Sequence, residues 1–88
     1  MIRLWSKLYK DHKIVKDVTL NTRAETMDYS LFFDYICEMA HALDAPSPVV
    51  IKTHIFNFAK FNFVKFVKSD FVESVNFDYM MVELIKDR

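Results

Sequence analysis

Glycine is absent from this chain of 88 residues, although an average composition of about 7% would place roughly six in it. Glycine-rich phosphate loops and the dinucleotide-binding fingerprint need residues without a Cβ atom, because only these let the backbone approach a phosphate closely. Both classes of nucleotide site are therefore excluded. Turns that require a positive φ must use Asn, Asp or His, which tolerate the left-handed region better than other residues.

Cysteine and long apolar runs are also scarce. Cys37 is the single cysteine, so it cannot form an internal disulfide or build a zinc site by itself, which fits a reducing compartment. No apolar run approaches the ~20 residues of a membrane span, and the N-terminal MIRLWSKLYK lacks the apolar block of a signal peptide. We therefore expect a cytoplasmic protein without membrane contact.

Recognisable catalytic sets and metal shells are missing as well. The serines lack the context of a nucleophile elbow, and no spacing links a histidine to a cooperating carboxylate. Asp34, Glu38 and His41 share one face of a predicted helix and could ligate a metal, but they supply only a partial shell. The same three residues are also typical of a solvated helix stripe. The sequence therefore predicts no enzyme, no cofactor, no metal and no small-molecule ligand.

The residues that are present favour one compact domain. Hydrophobic residues make up 52% of the chain and aromatic residues 16%, a composition that is unlike that of disordered chains. A domain of this size buries only about 60–65% of the surface that its unfolded chain exposes, so its core must be efficient. We predict a single domain over residues 1–88.

Charge is balanced in total but divided into blocks along the chain. Residues 1–23 carry six basic and two acidic side chains, and residues 24–50 carry five acids and no base. Residues 51–68 carry four lysines and no acid, and residues 69–88 carry five acids and two bases. Either the basic and acidic faces neutralise one another on the folded surface, or a basic face is presented to an acidic partner.

Residues 2–9 and 14–20 read as two strands, and the polar residues between them are the best hairpin signal in the chain. A two-residue loop would place Lys7 opposite Lys16 and mix the two faces. A three-residue loop over residues 10–12 is predicted instead, because it gives one apolar face and puts His12 at the left-handed position. Its pairs are Leu8 with Ile14, Leu4 with Val18 and Ile2 with Leu20.

The remaining elements complete an α+β fold. Residues 28–43 have a helical period, and Thr53 could cap a short helical turn before the extended residues 61–67. Residues 75–85 read as a strand that is apolar on both faces, which is typical of a central or covered strand. We therefore predict a three-stranded antiparallel sheet in the order 2-1-3, with one long helix and a short helical turn. The apolar stripe of the long helix is Phe32, Ile36, Met39 and Leu43.

A run of phenylalanines between residues 55 and 66 dominates the core prediction. Five of these twelve residues are phenylalanine, and burial of each stabilises the fold by roughly 1.5–3 kcal/mol. We expect the fold to close over this run. The rings predicted to be buried are Phe32, Phe58, Phe61 and Phe66.

The same run supports an alternative function. The segment FNFVKF at residues 61–66 partly resembles the RNP1 motif of RNA-recognition motifs, whose rings stack on bases. Both glycines of that motif are missing, two strands precede the only long helix, and a neutral chain lacks most of the phosphate attraction such proteins need. Binding of single-stranded nucleic acid is therefore kept as the alternative. Its surface would be Lys60, Phe61, Phe63, Lys65 and Phe66.

The predicted hairpin supports the main hypothesis about function. Trp5 and Tyr9 fall on the face opposite the predicted helix, with Lys7 and Lys13 beside them. Aromatic anchors with lysine at the rim are typical of interfaces, although the rings could instead lie against lysine stems or the C-terminal segment. The sequence thus predicts a non-enzymatic interaction or regulatory module that binds a protein partner or a second copy through Trp5, Lys7, Tyr9 and Lys13.

Two segments resemble small uncharacterised bacterial proteins. They are residues 10–17 (KDHKIVKD) and residues 70–79 (DFVESVNFDY), which together cover about a fifth of the chain. These families have no assigned activity, so the resemblance implies no site residues. It is compatible with a small cytoplasmic protein of bacterial origin.

Overall fold

The computed structural model describes residues 2–86. Two single turns of 3-10 helix, Tyr29–Leu31 and Lys68–Asp70, precede the first helix and follow the third strand. The longer elements are β1 (Ile2–Lys10), β2 (Lys13–Asn21), α1 (Phe32–Ala42), α2 (Lys52–Phe61), β3 (Phe63–Val67) and β4 (Tyr79–Lys86).

The four strands in this part of the chain form one antiparallel sheet in the order β2-β1-β4-β3. The predicted α+β class is confirmed, and the C-terminal strand pairs with β1 as expected. The prediction of three strands in the order 2-1-3 is wrong, because β3 pairs with the outer side of β4. Buried Val64 and Phe66 alternate with exposed residues in β3, which is the period of a strand that is covered on one face.

The hairpin between β1 and β2 closes with a two-residue loop. Asp11 and His12 both have positive φ, at 54° and 66°, and the flanking Lys10 and Lys13 pair with each other. Positive φ at both loop positions gives the type I′ turn, whose twist matches that of the strands it joins. The predicted three-residue loop is therefore wrong, although His12 does adopt the left-handed conformation.

A β-bulge reconciles this short loop with an apolar face. Tyr9 pairs with Ile14 whereas Leu8 pairs with Lys16, so Val15 has no partner across the ladder. The extra residue shifts the register of the rest of β2. Beyond the bulge, Leu4 pairs with Leu20, Ser6 with Val18 and Lys7 with Asp17.

The bulge also decides which side chains share a face. Val18 and Leu20 pack against the core as predicted. Ile14, however, lies opposite Tyr9, and Lys13 lies opposite Lys10. Since cross-strand partners share a face, Lys13 is on the side of the sheet away from Tyr9, and its predicted place in the partner surface is wrong.

The predicted long helix over residues 28–43 is divided into two parts. A 3-10 turn occupies Tyr29–Leu31, and α1 begins at Phe32. Asp28 caps the turn, because its Oδ1 accepts hydrogen bonds from Ser30 N at 3.0 Å and from Ser30 Oγ at 2.6 Å. The predicted apolar stripe is buried, as shown by Phe32, Ile36, Met39 and Leu43.

The predicted short helical turn is instead α2, a helix of ten residues. Ile51 precedes it and donates its backbone N–H to His54 Nδ1 at 3.1 Å. His54 therefore satisfies a backbone amide at this end of the helix. The prediction that Thr53 caps the helix is wrong, because the N-cap residue is Ile51. At the other end, Asn62 adopts a left-handed conformation with φ of 64°, a position that glycine usually takes at the end of a helix.

The core lies between the sheet and the two helices. Phe32 of α1 contacts Phe58 of α2, with ring centroids 5.2 Å apart. The largest fully buried side chains are Phe32, Phe58, Phe66, Ile2, Leu4, Ile36, Met39, Met80 and Val82.

Within the described chain, neither α1 nor α2 has the length and apolarity that crossing a bilayer requires.

The phenylalanine run is only partly enclosed. Phe58 and Phe66 are fully buried as predicted, but Phe56, Phe61 and Phe63 are 68%, 52% and 41% exposed. Residues two apart on a helix lie on opposite sides, and neighbouring strand residues face opposite ways. Phe61 is the last residue of α2, and its ring lies 6.2 Å from exposed Phe63, so its predicted burial is wrong.

Candidate functional site on the open sheet face

Both helices pack on one face of the sheet. Leu4, Val64 and Val82 belong to the same buried cluster as Phe32 of α1 and Phe58 of α2. Successive strand residues point to opposite faces, so the alternate residues of all four strands lie on the other side, which we call the open face. It consists of Arg3, Trp5, Lys7, Tyr9, Ile14, Asp17, Thr19, Asn21, Phe63, Lys65, Val67, Tyr79, Met81, Glu83 and Ile85.

The strand register aligns these side chains in rows and brings two predicted surfaces together. Trp5 and Phe63 both pair with Glu83, so they lie two strand spacings apart, which is about 10 Å. The part of the chain that was predicted to bind a protein thus adjoins the part that was assigned to nucleic acid. The rows are Thr19, Trp5, Glu83, Phe63; then Asp17, Lys7, Met81, Lys65; then Ile14, Tyr9, Tyr79, Val67.

Three members of the proposed nucleic-acid surface lie elsewhere. Phe66 is fully buried on the helix side, where its ring lies 4.6 Å from that of His54. Lys60 and Phe61 are at the end of α2, and the Lys60 ammonium lies 5.3 Å from the Phe61 ring centroid. Inclusion of Phe66 in that surface is therefore wrong.

Lys7 is the centre of the open face but is not a free charge. It is only 4% exposed, and its Nζ lies 3.3 Å from Glu83 Oε1 and 3.9 Å from the Trp5 ring centroid. Trp5 Nε1 donates a hydrogen bond to Asp17 Oδ2 at 2.9 Å. Trp5 is thus held from two sides, by a cation on its ring and by a carboxylate on its indole nitrogen.

An aromatic pair forms one end of the open face. Tyr9 and Tyr79 meet edge to face with ring centroids 4.7 Å apart, a geometry that is favourable between aromatic rings. The Lys65 ammonium lies 4.6 Å from the Tyr79 ring centroid. Ile14 and Val67 flank the pair and are 46% and 45% exposed.

Sequence reasoning missed the contribution of β4 to this surface. Tyr79, Met81, Glu83 and Ile85 supply its middle, between β1 and β3. The signal is present in the sequence, since residues 75–85 are largely apolar on both faces of the predicted strand. It could not be assigned, because only the pairing of β3 with β4 places Phe63 and Lys65 beside those residues.

Possible catalytic and metal-binding groups are dispersed. Asp34, Glu38 and His41 are exposed on α1, and no group of three metal-ligating side chains occurs within residues 2–86. Both ring nitrogens of His54 have neighbours, since Nδ1 accepts a hydrogen bond from Ile51 N and Nε2 lies 3.4 Å from Asp70 Oδ2.

A cavity with a volume of about 600 Å³ lies between the hairpin tip, the end of α1 and residues 74–77. Its charged lining groups are Lys10, Lys16 and Asp44, and its lining contains no histidine or cysteine. Lys16 Nζ donates a hydrogen bond to the backbone oxygen of Leu43 at 3.3 Å. The lining thus offers no nucleophile with a neighbouring imidazole base.

Comparison of the chain with protein-family models, curated proteins and solved structures found no match. Function must therefore be argued from the molecule itself. Among the described residues, the open face is the place where the structure unites side chains that sequence reasoning had singled out in separate segments.

Proposed function

We propose that this protein is a non-enzymatic interaction module that binds a protein partner through the open face. The observation that carries the proposal is the row in which Trp5, Glu83 and Phe63 lie side by side on neighbouring strands. This row joins an aromatic anchor from each half of the chain on one surface. Trp5 and Phe63 are its predicted anchors.

Exposed apolar side chains support this role. Ile14 and Val67 are 46% and 45% exposed at one end of the face, and Phe63 is 41% exposed towards the other. Contiguous apolar patches on protein surfaces commonly mark interaction sites. Trp and Tyr are also the residue types that most often carry interface binding energy, and the face holds one Trp and two Tyr.

The charges favour a protein over a nucleic acid. Asp17 and Glu83 place carboxylates among the rings, and these would repel phosphate groups. The ammonium groups of Lys7 and Lys65 lie over Trp5 and Tyr79, so a stacked base would have to displace them from the ring faces. A protein partner needs no such displacement, since it can pack against ring edges and apolar side chains.

Site-specific photo-cross-linking in cells that express the protein tests this proposal. One variant carries a photoreactive amino acid in place of Ile14 on the open face, and a matched control carries it in place of Phe56 on α2. Both positions are well exposed, at 46% and 68%, so neither replacement removes a core side chain. We expect a discrete protein adduct from position 14 and none from position 56. Adducts at both positions, or at neither, contradict the proposal.

Two measurements on the purified protein then identify the partner. A monomer in sedimentation whose Trp5 fluorescence is accessible to a quencher points to a different protein. A concentration-dependent dimer with protected Trp5 shows that the partner is a second copy. Binding of single-stranded RNA that weakens with salt and is lost in Phe63→Ala replaces the proposal with the nucleic-acid alternative.

A further inference from the structure

Within residues 2–86, the outer strand β3 pairs only with β4, so its other edge has no strand beside it. Leu84 N donates to Asn62 O at 2.8 Å, and the register from Phe63 onwards contains no shift. Hydrogen-bonded and non-hydrogen-bonded pairs alternate in an antiparallel ladder, so Val64 and Phe66 bond to β4. The N–H and C=O groups of Phe63 and Lys65 therefore point away from the sheet.

Asp70 limits the length of this free edge. Its Oδ2 accepts a hydrogen bond from Val67 N at 2.9 Å, so the amide at the end of β3 is already satisfied. The edge that remains is the stretch around Phe63 and Lys65. A strand that pairs there could form hydrogen bonds with the N–H and C=O groups of Phe63 and Lys65 and with the carbonyl of Val67.

The opposite edge of the sheet is less suited to strand addition. β2 carries the bulge at Val15, and a bulge is one of the devices that protect an edge strand from pairing with another chain. β3 contains neither a bulge nor a proline. Of the two edges, β3 is therefore the better template for another strand.

A groove runs beside the free edge of β3. It has a volume of about 280 Å³ and is lined by Asn57 and Phe61 of α2 and by Phe63, Val64 and Lys65 of β3. Phe61 and Phe63 form an apolar wall, with ring centroids 6.2 Å apart. In strand addition, backbone bonds supply affinity and such side-chain pockets supply specificity.

The charges around this groove indicate the chemistry of the added strand. Residues 51–68 carry four lysines and no acid, and within residues 2–86 no ion pair joins Lys60 or Lys65 to a carboxylate. A second copy of β3 would bring like charges together, with Lys65 facing Lys65 in a pair centred on that residue, which is destabilising. An acidic segment would be attracted instead.

We propose that β3 accepts an extended acidic segment of the partner protein as a fifth strand of the sheet. The segment alternates acidic with apolar side chains. Its acids lie beside Lys65 on the open face, and an apolar side chain enters the groove formed by Phe61, Val64 and Asn57. This inference rests on the proposed function, since it states how the interaction module holds its partner.

Selection from a library of random decapeptides, with the whole protein as bait, tests this inference. We expect enrichment of sequences that alternate Glu or Asp with apolar residues. The enriched peptide is then synthesised and titrated against variants. Lys65→Pro deletes the outward N–H without removing a bond to β4, so we expect it to weaken binding about tenfold or more. Lys65→Thr keeps that N–H and loses only the charge, so its effect should be smaller.

A matched control uses the other edge of the sheet. Thr22 N donates a hydrogen bond to Ile2 O, so beyond the bulge the backbone groups of even-numbered β2 residues point towards β1. The N–H of Thr19 therefore points outward, and Thr19→Pro removes it. This variant should bind the peptide as the unmodified protein does. If Lys65→Pro fails to fold, N-methylation of the peptide replaces it. Methyl groups on the amides of one peptide edge should abolish binding, and those on the other edge should leave it unchanged.

The outcomes separate this inference from the proposed function. Equal binding by Lys65→Pro and the unmodified protein overturns strand addition. Loss of binding in Ile14→Ser with retention in Lys65→Pro also overturns it, while the open face remains the interaction surface. Failure to enrich any peptide, or enrichment of basic peptides, overturns the inference directly.

Discussion

His54 Nε2 lies 3.4 Å from Asp70 Oδ2, and this contact ties the first turn of α2 to the end of β3. The same carboxylate oxygen accepts from Val67 N at 2.9 Å. The backbone oxygen of Asp70 accepts from Val49 N at 2.7 Å. At the other side of the imidazole ring, His54 Nδ1 accepts a hydrogen bond from Ile51 N at 3.1 Å. Asp70 therefore joins the extended residue Val49, the first turn of α2 and the end of β3.

Asp70→Ala should lower the free energy of unfolding by about 1–3 kcal/mol, because it leaves a part-buried imidazole and the Val67 amide without partners. Asp70→Asn keeps an acceptor for one of them and should cost less. Urea denaturation measures the change. Glu73→Ala is the control, since Glu73 is an exposed acid in the same segment and should change stability by less than about 0.5 kcal/mol. Equal losses for Asp70→Ala and Glu73→Ala would show that the network contributes nothing.

The Lys7–Glu83 pair should respond asymmetrically to substitution. The Lys7 side chain is 5% exposed and that of Glu83 is 42% exposed. Glu83→Ala leaves a buried ammonium without its carboxylate, so we expect a loss of about 1–3 kcal/mol. Lys7→Met keeps an apolar stem over Trp5 and leaves a carboxylate that water can reach, so the loss should stay below about 1 kcal/mol. Unfolding in urea gives both values, and the reverse order would contradict the structure.

Replacement of each phenylalanine in residues 55–66 should sort the run into two groups. Phe58→Ala and Phe66→Ala remove fully buried rings and should each cost about 3–5 kcal/mol. Phe56→Ala, at a position that is 68% exposed, should cost less than about 1 kcal/mol. Equilibrium unfolding provides the comparison. A large loss for Phe56→Ala would mean that this side of α2 is covered in solution.

Ser6 is a polar residue in the core face of β1. Its side chain is fully buried between Val18 and Val82 on the neighbouring strands, and its Oγ has no hydrogen-bond partner among residues 2–86. Ser6→Ala removes this unsatisfied group, so stability should be unchanged or rise by up to about 1 kcal/mol. Leu4→Ala on the same face is the contrast and should cost about 2–5 kcal/mol. A clear loss for Ser6→Ala would indicate a hydrogen bond to Oγ.

Local pattern was sufficient for much of the fold. The stripe of Phe32, Ile36 and Met39 predicted the buried side of α1, and the two-sided apolarity of residues 75–85 predicted a strand beside β1. Both inferences depend on the periods of 3.6 and 2 residues, which act within a single element. For the same reason, Trp5 and Tyr9 could be placed on one face of the hairpin before its partners were known.

Tertiary structure alone decided the rest. The bulge at Val15 moved Lys13 to the other face, and the pairing of Phe63–Val67 with β4 split the phenylalanine run and joined Phe63 to the Trp5 surface. Sequence determines on which side of its own element a residue lies. Which strands become neighbours depends on the burial of apolar side chains over the whole core, because segments far apart in the chain compete for the same edge of the sheet. The hydrophobic period of a single segment therefore cannot predict its neighbour.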